Sequence, residues 1–137
     1  MSGSYELQVG IYNKLVGDAP LMGSIVGVFD NHPQDGDGGD NSIFPYITIG
    51  DDDLVAWDTD TETGTEATVN IHVWSRGNSR LETKQVQQLI YDALHRDTIT
   101  MTGYTVVGID LTNQGAARDP DGITIHGVQT LRILYEG

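Results

Sequence analysis

From Gly64 to Leu94 the chain reads GTEATVNIHVWSRGNSRLETKQVQQLIYDAL, and its apolar period changes once along the way. Val69, Ile71 and Val73 alternate with Thr68, Asn70, His72 and Trp74. Successive side chains of a strand point to opposite faces, so this alternation, carried by β-branched residues, predicts a strand with one buried face. The turn cluster Arg76-Gly77-Asn78-Ser79 follows, after which Val86, Leu89, Ile90, Ala93 and Leu94 recur at helical spacing. Ser79 and Glu82 have the spacing of a capping box, in which the hydroxyl accepts an amide three residues on and the carboxylate reaches back. A long strand feeding a capped amphipathic helix is the most firmly specified part of the chain.

The N-terminal stretch predicts a first helix over Tyr5–Val16, with Ser4 as its cap. Leu7, Ile11 and Leu15 form one apolar row, and Val9, Tyr12 and Val16 a second on another side. Two readings fit: a partly buried helix with loose patterning, or one row on the domain's own sheet and the other on a neighbouring subunit. Gly17-Asp18-Ala19-Pro20 should end the helix. Short strands are expected at Ile25–Phe29 and Phe44–Gly50, with Pro45 at the start or edge of the second because it lacks an amide donor. Between them, Asp30–Ser42 (DNHPQDGDGGDNS) reads as a mobile loop. Asp51–Thr65 reads as a long, acidic hairpin connection with extended arms.

Beyond the second helix, Ile99–Met101 and Tyr104–Thr112 read as strands and Asn113–Arg118 as loop. Asp119-Pro120-Asp121-Gly122 is a turn signal. A last strand is expected over Ile123–Tyr135, with Ile123, Ile125, Leu131, Ile133 and Tyr135 on one face. Gly127 in its middle implies a bulge or a close backbone approach. The order of elements predicts an α+β fold: a mostly antiparallel sheet with two helices packed on one face. The length of 137 residues fits one domain, and neither repeat nor linker divides it.

Charge narrows the function classes. The formal net charge is −13, which argues against a surface that grips phosphates, since that needs clustered Lys and Arg. Of the 20 acids, 11 fall between Asp30 and Glu66, an interval with no basic residue. Such a region is either a set of solvated loops or a surface that repels polyanions or meets a basic partner. With no cysteine there is no disulfide and no thiolate chemistry. No apolar run would span a membrane, and the N-terminus lacks the pattern of a secretory signal, so a cytoplasmic setting or an exported assembly is expected.

Candidate chemistry is sparse. The loop around Asp35, Asp37 and Asp40 invites a calcium-binding reading, but an EF-hand register from Asp35 places Gly39 fifth, Asp40 sixth and Tyr46 twelfth, where ligand, glycine and glutamate are needed. His32, His72, His95 and His126 have no zinc-type spacing, although His72 and His126 could be neighbours on adjacent strands. There is no nucleophile elbow and no phosphate-binding loop, so the expectation is a protein that is not an enzyme and takes no cofactor. Trp74, on the polar face of the central strand, is either part of a second, smaller core or an interface anchor. If both helices cover one face of the sheet, a partner subunit is expected to cover the other.

Five segments in order (LQVGIYNKL, IVGVFDNHP, FPYITIGDDD, EATVNIHVWSRGNSRLETKQVQQLIYDAL and DPDGITIHGVQTLRI) resemble the tail-completion proteins of long-tailed phages, a family that includes tail terminators and has relatives in prophages and gene-transfer agents. The resemblance covers nearly the whole chain. Gln34–Asn41 is longer than the family pattern, so no role carries over to it. The resemblance implies a ring-forming subunit, commonly hexameric, that caps the tail tube and offers a docking surface to the head–tail connector or stopper protein, with DNA passing through the lumen. Another neck component is the neighbouring alternative, and the calcium-binding module the one from a different class. It implies residence in the virion, after assembly in the host cytoplasm, with no membrane. The residues expected at an interface or the lumen are Leu7, Ile11, Tyr12, Asp35, Asp37, Asp40, Asp51, Asp52, Asp53, Trp57, Asp58, Asp60 and Trp74.

Overall fold

The strand at the middle of the chain is also the middle of the sheet. The computed structural model describes residues 3–30, 43–58, 63–77 and 79–137. In order they form α1 (Ser4–Val16), α2 (Ala19–Met22), β1 (Gly27–Phe29), β2 (Tyr46–Ala56), β3 (Gly64–Ser75), α3 (Arg80–Leu94), β4 (Thr105–Arg118) and β5 (Ile125–Glu136). The sheet order is β1-β2-β3-β5-β4. The short β1 runs parallel to β2, and every other pair is antiparallel. This is the expected α+β architecture.

Period two governs β5 along its whole length and β3 from Thr65 onward. On β3, Ala67, Val69, Ile71, Val73 and Ser75 are buried while Glu66, Thr68, Asn70, His72 and Trp74 are half-exposed. In β5 the buried row is Ile125, Gly127, Gln129, Leu131, Ile133 and Tyr135. The ladder sets Ile71 opposite Gln129, Val69 opposite Leu131 and Ala67 opposite Ile133, so the two rows make one continuous surface. Onto it pack Leu7, Ile11 and Leu15 of α1 and Val86, Ile90 and Leu94 of α3, all almost wholly buried. Fully burying an aliphatic side chain of this size contributes about 1.5–3 kcal/mol, so this cluster supplies most of the driving force for the fold.

Gly127 marks a close approach rather than a bulge. A Cβ there would lie 2.6 Å from Gln87 Nε2 and 2.7 Å from Thr83 Cγ2 of α3. Gln87 and Gln129 are both buried, and their amides are used: Gln87 Nε2 donates to Gly115 O, and Gln129 Nε2 to Gln87 O and Gln114 Oε1.

Several boundaries differ from expectation. Ser4 lies inside α1, and the cap position is Gly3 at φ 99°. A side chain there would be strained and would meet the Tyr135 ring. The Ser79 hydroxyl does cap α3, accepting from the Leu81 amide. Glu82, however, accepts from the Ser75 hydroxyl instead of reaching back to Ser79. Proline in the first turn of a helix loses no bond, so Pro20 opens α2 rather than merely ending α1. Residues 99–101 have no ladder partner, although Ile99 and Met101 are buried. They cross beneath α1, where Gly10 leaves room for the Thr100 carbonyl.

Strand β4 runs on through Asn113–Arg118, since β5 pairs with it to the end. Ile123 is exposed and precedes the last strand. Of the expected loop Asp30–Ser42, residues 31–42 lie outside the described residues.

The two faces of β3 should respond differently to truncation. Ile71→Ala opens a cavity in the helix-covered core and is expected to cost about 2–5 kcal/mol. Thr68→Ala on the opposite face should stay within about 1 kcal/mol. Urea denaturation midpoints of the two variants measure the contrast.

Candidate interaction surfaces

Three surfaces gather the sequence-predicted site residues that the structure describes. The first is helix α1. Leu7 and Ile11 are 1% and 0% exposed. They belong to the domain's own core and offer nothing to a partner, because their row is the one that seats on the sheet. Tyr12 lies on the other row, 43% exposed, with Val9 and the more exposed Tyr5 beside it. Val16, the last of that row, is partly buried against the core. Next to the exposed row is a cavity of about 400 Å³ lined by Tyr5, Glu6, Val9, Asn13, Thr100 and Thr102. Tyr5 was absent from the expected row, although it stands four residues before Val9.

The second surface is the acidic arm. Asp51–Ala56 continue β2 as strand, and Asp52–Ala56 pair with Thr65–Val69 beyond a register shift between Ile49 and Asp52, in which Asp51 lies. Asp51, Asp52, Asp53 and Asp58 are all exposed. Asp52 accepts a 2.8 Å hydrogen bond from the Ser4 hydroxyl at the start of α1, where the helix dipole favours a carboxylate. Asp58 Oδ1 accepts from the Gly64 amide at 3.1 Å, and the Trp57 amide donates to Gly64 O. The Trp57 indole is half-buried, lying against Gly64 so closely that a Cβ there would be 2.6 Å from the ring. Trp57 thus closes the arm on itself. Asp35, Asp37, Asp40 and Asp60 lie outside the described residues, as does His32. Among the described residues, no three His, Cys, Asp or Glu side chains gather as metal ligands.

The third surface is the sheet face away from the helices. It was expected to need cover by a partner, but most of it is a ladder of paired polar side chains. Arg132 Nε binds Glu66 at 2.9 Å, with Asp110 at 3.9 Å from Nη1. Glu66 foremost, and Asp110 behind it, raise the Arg132 guanidinium above its usual value. Thr130 donates to Asn70 at 3.0 Å. Such cross-strand pairs satisfy the face without apolar burial.

One end of that face is aromatic. Trp74 Nε1 donates to Thr48 Oγ1 at 3.1 Å. Its ring lies flat on His126, centroids 3.9 Å apart and planes within 5°. Tyr46 stacks more distantly on Trp74, and Phe29 and Phe44 extend the cluster. The Arg76 guanidinium sits 4.4 Å from the Phe44 ring centre. Trp74 is half-buried within this cluster. Arg76 Nε also donates to Thr124 Oγ1, and the Thr124 hydroxyl donates to Asp121.

The family description "Tail completion protein gp17" matches residues 9–136. The chain belongs to the gp17 tail-completion family. A curated relative, the tail completion protein gp17 of Bacillus phage SPP1, is 29% identical over 129 residues, covering 94% of this chain and 91% of that protein. Among solved structures, the bacteriophage SPP1 gp17 protein superposes with a TM-score of 0.61 at 26% identity, over 95% of this chain and 88% of that one. A chain from the virion of a native gene transfer agent particle has a TM-score of 0.87 over 99% and 98% of the two chains. At 21% identity that match speaks for the gp17-family fold alone.

Asp121 ties the β4–β5 connection together. The amides of Thr124 and Ile123 and the Thr124 hydroxyl hold its carboxyl down to about 2, the Thr124 amide contributing most. A carboxyl with a depressed folded value contributes stability that is complete above its unfolded value, about 3.9, and is lost as pH falls through the folded one. Asp121→Ala should therefore lower the denaturation midpoint near neutral pH, and the gap to the native chain should narrow between about pH 4 and about pH 2.

Proposed function

We propose that this chain is a structural virion protein that completes a phage tail, acting as a tail terminator. The observation that carries the reading is the end-to-end match to the gp17 tail-completion family, residues 9–136. Copies assemble as a ring, commonly hexameric in this family. One side of the ring matches the end of the tail tube and blocks further tube subunits, while the other presents a surface to the head–tail connector or stopper. The mechanism is geometric, with no catalysis and no cofactor. Assembly takes place in the host cytoplasm and the product stays in the virion.

The exposed row Tyr5–Val9–Tyr12, with the cavity beside it, supplies a contact between copies, since a soluble surface rarely carries an apolar stripe without a partner. The arm carrying Asp51, Asp52, Asp53 and Asp58 faces the lumen or the tube. A negative lumen repels the phosphates of passing DNA and keeps it from sticking.

Native mass spectrometry and electron microscopy of the purified chain, alone and with tail tubes, test the reading. The expected result is a closed ring, on its own or on the tube end. A strict monomer under both conditions overturns it. Tyr12→Glu is expected to weaken the ring while leaving the thermal midpoint of the subunit within a few degrees, because a surface substitution costs about 0.5 kcal/mol or less.

A further inference from the structure

His72 and His126 sit on neighbouring strands at diagonal positions: Trp74 is opposite His126, and His72 is opposite Val128. His72 Nδ1 lies 2.7 Å from His126 Nε2. The ring centroids are 4.9 Å apart with planes 23° from parallel. Rings that close at the nitrogens and that far apart at the centres meet edge to edge, as in an N–H···N hydrogen bond. A face-to-face stack brings centroids nearer, as Trp74 and His126 show at 3.9 Å.

An imidazole nitrogen donates only when it carries a proton and accepts only when it does not. The bond therefore exists when the pair is neutral, and when it holds one additional proton. A second proton leaves two donors facing each other across 2.7 Å, both rings cationic. We propose that His72 and His126 act as a single proton-holding unit: the first proton tightens their contact, and the second breaks it and loosens the aromatic stack that ties β2, β3 and β5 together.

The surroundings favour one added proton and oppose two. Among the described residues, Asp119 of the β4–β5 connection places Oδ1 4.0 Å from His126 Nδ1, where it supports one positive charge. Trp74 offers its ring face to the same imidazole, a further attraction for a cation. On the β2 side the neighbours are Tyr46, Thr48 and the Gly50 backbone, which stands so close that a Cβ would be 2.5 Å from His72 Nε2. Ala117 of β4, opposite His126, carries no charge. Arg76 at the end of β3 adds a positive charge at this end of the face, against a second proton. Phe29, Phe44 and Tyr46 depend on the same stack, so the unit links solution pH to the packing of one end of the sheet.

Nitrogen-15 spectra of the imidazoles in the full chain, followed from about pH 8 to about pH 4, span ordinary histidine titration and test this. The expected result is two separated steps shared by the two rings, one above and one below the single step that His126 shows in His72→Gln. In a Trp57→Phe background, Trp74 fluorescence should change at the lower step. A single common step for both rings in the native chain overturns the proposal. So does an unchanged His126 titration in His72→Gln. Should that variant fail to fold, the native chain alone decides, separated steps supporting the unit and a common step removing it.

Discussion

The structure depends on the burial of one row of side chains, Ala67, Val69, Ile71 and Val73, between two neighbouring strands and beneath two helices. A strand has no third direction for its side chains. Once this row is committed to the core, Glu66, Thr68, Asn70, His72 and Trp74 must stand on the opposite face. A register slip by one residue would bury Glu66 and Asn70 under α3 and expose Ile71, so the register is held by a penalty at almost every rung. The same commitment places Leu131 and Ile133 of β5 in the core and Arg132 outside it. The chemistry of the open face is in this sense a consequence of the core.

That face explains why the subunit needs no second helical layer. Its middle is occupied by partners that satisfy one another across strands: Glu66 with Arg132, Arg132 with Asp110, Asn70 with Thr130. Exposed pairs of this kind contribute little stability each, but they fill the middle of the face with polar side chains. Only the end formed by Tyr46, Trp74 and His126 collects large rings, and there the indole finds a hydrogen-bond acceptor in Thr48. Among the described residues, α1 carries an exposed apolar row at Tyr5, Val9 and Tyr12. Its counterpart, Leu7–Ile11–Leu15, was equally visible in the sequence, yet spacing alone cannot say which of two apolar rows on a helix meets the sheet. The sheet decides, and it took the row of aliphatic residues.

What could be read from the chain beforehand follows this division. The β3–α3 unit was legible because two different periods meet at a turn, and each period is dictated by backbone geometry. The possible nearness of His72 and His126 was legible from strand alternation; their shared hydrogen bond was not, because it depends on the register between two distant strands. The last part of β4 is not legible in the sequence, because Asn113–Arg118 has no apolar alternation. Its extended form comes from the ladder with β5, a tertiary cause that overrides local pattern. Residues 99–101 show the converse: Ile99 and Met101 are buried as in a strand, but Ile99 and the Thr100 carbonyl lie against Gly10 of α1 and no ladder partner runs alongside. Nothing local announced the buried amides Gln87 and Gln129, whose partners are backbone and side-chain groups on other elements.

The acidic arm runs against stability and so bears on function. Aspartate is disfavoured in strands, and three in succession repel one another, yet Asp51–Asp53 lie within β2. Asp52 and Asp53 are held by pairing with Val69 and Thr68 of β3, while Asp51 falls in the register shift between Ile49 and Asp52. Asp52 gains an ordinary hydrogen bond from Ser4 at the head of a helix, which accounts for one of the three. Asp51 and Asp53 stand exposed on a rigid element, where a loop would have let their charges spread apart. A fold under selection for stability alone has no use for such a placement. A subunit that presents fixed negative charge to something outside itself does, and in the ring proposed above the phosphates of passing DNA are what such charge would hold at a distance.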